Sequence, residues 1–202
     1  MELNDFYALG YIVRHYLDNA FINLKTVVFS KKLIMKNSKS IFIGLGANLP
    51  SKVYGEPIKT LEASLRALKT SGIKIVGQSR WYSSLAFPDP HQPKYLNGVV
   101  SVRTDLTPKK LLNLLNKIED QFGRVRTFRN APRVIDLDLL AFGDTIRTDE
   151  PPLLPHPRLA ERIFVLKPLS DIEPTWVHPL LGLSTNELIE TLPESNDITL
   201  YN

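Results

Sequence analysis

The chain contains no cysteine in 202 residues, which excludes disulfides, zinc–thiolate centres and thiol catalysis, and fits a reducing compartment. No apolar run approaches the roughly 18 residues that a membrane-spanning helix needs, and Glu2, Asp5, Arg14 and Asp18 break any signal-peptide pattern. Internal repeats and low-complexity tracts are lacking as well. What is present is ordinary for a globular domain: 43% hydrophobic and 23% charged residues, in a length that suits one core rather than two. A net charge of +4 points to an anionic partner, and nucleotide phosphates satisfy it as well as nucleic acid does.

The most informative stretch runs from Gly123 to Gly143. Four arginines, Arg124, Arg126, Arg129 and Arg133, fall within ten residues and lead into an apolar strand, Val134–Phe142, interrupted only by Asp136 and Asp138. Side chains two apart leave the same face of a strand, so both carboxylates point one way with Leu140. Such a pair is costly unless something positive neutralises it. The candidates are the arginines and a divalent cation, and an oxygen-only ligand set favours Mg²⁺ over Zn²⁺. A hard cation beside guanidinium forks is the arrangement that polyphosphate chemistry uses. Asp171 and Glu173 share the spacing but lack neighbouring arginines, and read as a solvated turn.

Ahead of this stretch, Ile41–Gly44 reads as a short strand leaving through Gly44-Leu45-Gly46-Ala47-Asn48. That exit is neither a Walker loop nor a complete dinucleotide fingerprint. Ile58, Leu61, Leu65 and Leu68 give a helix closed by Gly72, and Ile73–Tyr82 a strand. Pro88, Pro90 and Pro93 make the next segment a loop. Tyr95–Val102 is a strand with Tyr95, Asn97, Val99 and Ser101 on one face. Thr107-Pro108 starts a helix that buries Leu111, Leu115 and Ile118 and ends at Gly123, with Asn116 and Glu119 turned away from most of that stripe. Ser184 and Glu187 form a capping box for a last short helix. The fold class is α+β: β-α-β-β-α-β, the ferredoxin-like order, with an antiparallel sheet, helices on one face and a C-terminal extension.

The pattern R-x-R…A-P-R-x-I-D-L-D-L, with L-P-H-P-R-L…R-x-F-V-L-x-P-L at Leu154–Leu169, G-L-G-A-N-L at Gly44–Leu49 and Q-P-x-Y-L-N at Gln92–Asn97, resembles the 6-hydroxymethyl-7,8-dihydropterin pyrophosphokinase family of folate biosynthesis. The resemblance covers roughly Ser40 to Leu192. It implies transfer of the diphosphoryl group of ATP to the hydroxymethyl group of the pterin, with release of AMP. It further implies that Asp136 and Asp138 hold two Mg²⁺ ions, while Arg124 and Arg133 meet the phosphates at the transition state. By the same resemblance Asn116, Glu119, Arg126, His156 and Arg162 serve ATP, and Gly46, Ser84, Tyr95, Asn97 and Phe164 serve the pterin. Asn130 and Ala131 stand where the family often has tryptophan and glycine, and Asn116 where it often has glutamine.

The expectation is therefore a monomeric cytoplasmic enzyme of small molecules, independent of nucleic acid and membrane, with residues 40–202 as its domain. The alternatives are a basic RNA-binding module and another Mg²⁺-dependent phosphotransferase or nuclease. The first needs paired aromatics on the central strands, and Ile41–Gly44 and Tyr95–Val102 do not supply them. The segment Thr127–Ala131 lacks the apolar content to pack and reads as a lid that orders over bound phosphates. Residues 1–39 form an extension of unknown role, with helical spacing at Phe6, Leu9, Val13 and Leu17. Met35, one of two methionines, makes upstream sequence from a misplaced start the favoured reading of residues 1–34, against a genuine appended helix. On either reading the segment is dispensable for chemistry.

Overall fold

A strand buried on both faces organises the sheet. β1 (Ile41–Ala47) places Ile41, Ile43, Leu45 and Ala47 in one hydrophobic cluster and Phe42 in another, on the opposite side. It runs three residues past the expected exit, because Gly44, Leu45 and Gly46 continue the ladders on both sides. The computed structural model describes residues 40–86, 89–125, 131–193 and 197–202. The expected N-terminal helix, Arg126 and the Thr127–Asn130 part of the expected lid lie outside the described residues.

The elements that follow are α1 (Pro57–Thr70), β2 (Lys74–Gln78), β3 (Tyr82–Ser84), β4 (Tyr95–Arg103), α2 (Pro108–Gln121) and β5 (Asp136–Phe142). After them come α3 (Ile163–Ile172), α4 (Thr185–Thr191) and β6 (Ile198–Leu200). The sheet order is β5-β1-β4-β3-β6, with β2 pairing the second half of β4 and every pairing antiparallel. The single strand expected over Ile73–Tyr82 is thus two. They are separated at Ser79–Trp81, where the Ser79 hydroxyl accepts the Val99 amide at 2.9 Å and keeps β4 satisfied across the gap.

Helix ends follow local chemistry. Pro108 opens α2 behind Thr107, whose hydroxyl accepts the Lys110 amide, and the Ser184–Glu187 capping box opens α4. Gly72 and Gly123 end α1 and α2 with φ of +85° and +83°, a conformation that side chains with a Cβ resist. Leu61, Leu65 and Leu68 of α1 and Leu111, Leu115 and Ile118 of α2 share one cluster with Ile43, Val100 and Leu137. α3 and α4 cover the other face instead, where Val165, Leu166, Leu169 and Leu188 meet Phe42, Val99 and Trp176. Helices therefore occupy both faces, and the one-sided arrangement describes α1 and α2 only. The reason lies in the strands, which carry apolar side chains at both odd and even positions.

Asp171 is not a solvated turn residue. It lies in the last turn of α3 and accepts from the Arg80 guanidinium at 2.6 Å and the Tyr82 hydroxyl at 2.9 Å. These bonds tie the gap between β2 and β3 to the helix above it.

Gly98 of β4 lies under the Trp81 ring, and a Cβ there would sit 2.6 Å from it. Gly98→Ala is expected to destabilise the chain by roughly 1–3 kcal/mol, the usual cost of overpacking. Urea unfolding read through tryptophan fluorescence checks this, and an unchanged midpoint would show that Trp81 moves freely.

Candidate active site

The carboxylates reach the floor of a cleft because of register. Asp136 pairs with Gly46 and Asp138 with Gly44, so β1 presents no side chain beside either carboxylate on that face. A Cβ on Gly46 would touch Asp136, Asn97 and Tyr95 at 3.5–3.8 Å, and one on Gly44 would press on Leu140 at 3.3 Å. The cleft above has a volume of about 990 Å³. Its lining includes Gly46, Ser84, Tyr95, Asn97, Arg124 and Arg133, and across from them His156, Arg162 and Phe164.

Positive charge surrounds the acids. Arg124 approaches Asp136 Oδ1 at 2.6 Å, and Arg133 approaches Oδ2 at 3.0 Å. Asp138 has a looser partner, Arg162 at 3.7 Å. Burial, reinforced by the Asp136 charge, pushes the Asp138 carboxyl up to about 6. Its side chain nevertheless keeps 38% of its surface open to the cleft, so solvent screens part of that penalty.

Glu119 takes a position that the helical pattern does not reveal. It is 1% exposed and turns toward β5, where it accepts the Leu137 amide at 2.7 Å and pairs with Arg124. A buried carboxylate is tolerable with such partners, and this one fixes the backbone between Asp136 and Asp138. Neither Glu119 nor Asn116 lines the cleft; Asn116 sits one turn earlier on α2.

The second wall is built by the Pro155–Pro157 corner. The His156 amide donates to Leu140 of β5 at 2.7 Å, and its Nδ1 accepts the Arg158 amide at 3.2 Å. Burial and the nearby Arg162 and Arg158 charges lower the His156 pKa to about 4, so the ring is neutral near pH 7 with its proton on Nε2. The Arg162 guanidinium stands 5.5 Å from the centre of the half-buried Phe164 ring.

On the opposite side, the Asn97 amide donates to the Ser84 hydroxyl at 2.9 Å, which fixes its carboxamide orientation over Gly46. Tyr95 donates to the Ala131 carbonyl at 3.4 Å, beneath the Arg133 guanidinium. Asn48 escaped the sequence reading, although it lies in the quoted G-L-G-A-N-L pattern. Buried to 3%, it accepts the Arg133 amide at 2.8 Å and donates to the Pro93 carbonyl at 3.0 Å, clamping two loops together. Arg158, which also lines the cleft, escaped notice too.

Among the described residues no group of three or more histidine, aspartate or glutamate side chains could hold a metal. A closed, all-protein metal site is therefore not built from them. Two adjacent carboxylates open to a cleft instead fit an ion whose remaining ligands are water and substrate oxygens, which is the usual setting of Mg²⁺.

Comparison with known proteins supports a single family. The profile described as 7,8-dihydro-6-hydroxymethylpterin-pyrophosphokinase (HPPK) matches residues 42–174. A Synechocystis 2-amino-4-hydroxy-6-hydroxymethyldihydropteridine pyrophosphokinase is 40% identical over 149 residues, 73% of each chain. The Haemophilus influenzae protein of that name is 36% identical, covering 79% of this chain and 96% of the relative. The folic acid synthesis protein FOL1 of Dictyostelium discoideum is 34% identical over 91% of this chain, which spans only 28% of that longer protein. In fold, the chain is similar to a crystal structure of Plasmodium falciparum HPPK-DHPS, with a TM-score of 0.58 at 13% identity, covering 78% of this chain and 46% of that one.

The raised Asp138 pKa has a definite consequence for the metal-free protein. A carboxyl raised in the fold contributes its stability below its unfolded pKa of about 4 and loses it as pH rises through about 6. Asp138→Asn should therefore equal the parent near pH 4 and exceed it by about 1 kcal/mol above pH 7, after discounting for solvent. Thermal melts across this range check it; a variant less stable than the parent at pH 8 would mean that Arg162 outweighs the burial cost.

Proposed function

Because the chain belongs to the 7,8-dihydro-6-hydroxymethylpterin-pyrophosphokinase family, we propose that its cleft performs this family's reaction in folate synthesis through the residues described above. The substrates are ATP and 6-hydroxymethyl-7,8-dihydropterin. The hydroxymethyl oxygen attacks the β-phosphorus, the bond from that phosphorus to the oxygen bridging to the α-phosphate breaks, and AMP leaves. The observation that carries this reading is the carboxylate pair set opposite two glycines between cationic walls.

Asp136 and Asp138 would hold Mg²⁺, one or two ions, which supplies charge neutralisation at the phosphoryl oxygens. Arg124 and Arg133, paired with Asp136 in this state, would meet the β- and γ-phosphates. Charge that builds at the leaving oxygen is stabilised by fixed donors, among them Arg162 and the Nε2 proton of His156. Glu119 acts through Arg124 and the β5 backbone rather than by touching ATP. Asn116 and Arg126 are proposed on the nucleotide side by family resemblance alone.

Pterin recognition is assigned to the other half of the cleft. Tyr95 and Phe164 offer flat rings to stack on a heterocycle, and Asn97, held by Ser84, offers its carboxamide oxygen to the pterin edge. Gly46 lets the ligand approach the sheet.

The sheet order supports reading β1–β5 with α1 and α2 as a ferredoxin-like core, with residues after Phe142 as its C-terminal extension. We assign residues 40–202 to the catalytic domain. A monomer acting on small molecules in the cytoplasm, without nucleic acid or membrane, completes the proposal. The lack of cysteine fits that compartment.

The direct test is AMP release from ATP, expected only when the hydroxymethyl pterin and Mg²⁺ are both supplied. AMP or ADP formed equally well without the pterin would point to a different phosphotransferase. Phe164→Ala should weaken pterin binding by about 2- to 10-fold beyond its area loss and leave ATP binding nearly unchanged. Titration calorimetry with each ligand separates the two, and equal losses would make Phe164 a packing residue.

A further inference from the structure

Arg158 is the charge in the cleft that nothing yet explains. It follows Pro157 in the turn before α3, is half-buried, and lines the same cleft as Asp138 and Arg162. Its backbone amide is used, donating to His156 Nδ1 at 3.2 Å. Its guanidinium makes no hydrogen bond or ion pair among the described residues, whereas Arg124, Arg133 and Arg162 each have a carboxylate. Glu161, three residues on, lines the cleft too but forms no pair with it.

The neighbourhood makes this placement unfavourable without an anion. Arg158 adds to the positive field on His156 and on Arg162, and in both cases its charge disfavours the protonated form beside burial as the larger cause. Two guanidiniums and an imidazole N–H thus face one cleft, and among the described residues the one carboxylate ion-paired to this group is Asp138, held loosely by Arg162 at 3.7 Å. A half-buried arginine kept beside other cations is stabilised by a ligand that brings several anionic oxygens, since guanidinium forks bind phosphate bidentately.

We propose that Arg158 is a phosphate-binding residue of this site, which grips the polyphosphate of the bound nucleotide from the His156–Arg162 wall while Arg124 and Arg133 grip it from the other. This rests on the nucleotide-dependent reaction proposed above and adds a residue to it. The division of labour follows from the partners. Arg124 and Arg133 must leave Asp136 to reach a phosphate, whereas Arg158 has no partner among the described residues to leave and can bind an incoming triphosphate first.

The test is Arg158→Ala in the full chain, with Arg158→Lys beside it. The substitution removes the guanidinium but keeps the backbone donor to His156, so the turn retains its hydrogen bond. Binding of Mg²⁺ with a non-hydrolysable α,β-methylene analogue of ATP, measured by titration calorimetry, should weaken about 10- to 100-fold, the loss of one charge-assisted contact. The pterin dissociation constant and the melting temperature should stay within about twofold and about 2 °C. In steady state the KM for ATP should rise more than kcat falls, and Arg158→Lys should restore part of the affinity as a point charge. Unchanged analogue binding in Arg158→Ala, beside a parent that binds normally, would overturn the assignment alone. Equal weakening of analogue and pterin with a lower melting temperature would overturn it in favour of a structural role. A parent chain that does not bind the analogue at all would remove the nucleotide reading itself, and this inference with it.

Discussion

Two carboxylates on the inner face of a core strand set the terms for everything around them. Left alone, Asp136 and Asp138 would repel each other in a half-buried place. The chain answers with guanidiniums from three directions, two of them on Asp136. The balance is uneven, and the unevenness is chemically useful. Asp136 is saturated by protein cations, while Asp138 keeps open surface and a raised pKa, the part of the pair that the chain's own cations leave less satisfied. A site satisfied throughout would hold its shape and bind little.

Local backbone choices serve that arrangement. Glycines at positions 44 and 46 lie across from the acids in register, so the neighbouring strand contributes space rather than side chains. Glu119 reaches from α2 into the same strand and fixes the amide between the acids. Asn48 does the equivalent for Arg133, holding its backbone from the end of β1. These side chains are thus placed by polar atoms one step behind them, and neither Asn48 nor Glu119 is part of the cleft lining.

Which of these features could be read from the chain alone depends on the range of the interactions. The pleat of Tyr95, Asn97, Val99 and Ser101, the shared face of Asp136 and Asp138, and the caps at Thr107 and Ser184 are local, and local periodicity and capping chemistry reveal them. The helix Ile163–Ile172 is harder, because a short apolar run containing Pro168 has no period that separates helix from strand. Asp171 was unreadable because its partner Arg80 lies 91 residues away. Glu119 misleads for a related reason: helical spacing puts it off the apolar stripe, and only the strand it meets makes its burial tolerable. Gly98 did carry a usable signal, since glycine inside a strand marks a close approach, here by Trp81.

The position of β1 also sets a hierarchy of opening. It is hydrogen-bonded to β5 on one edge and β4 on the other, with packed clusters on both faces. Amides in such a strand are the ones expected to exchange with solvent last, when the sheet itself is lost. The two glycines that floor the cleft therefore belong to the most tightly held strand of the sheet. The acids are tied to that strand by the β1–β5 ladder, and the wall across the cleft is fastened as well, by the His156 amide on Leu140 and by the fully buried Leu159.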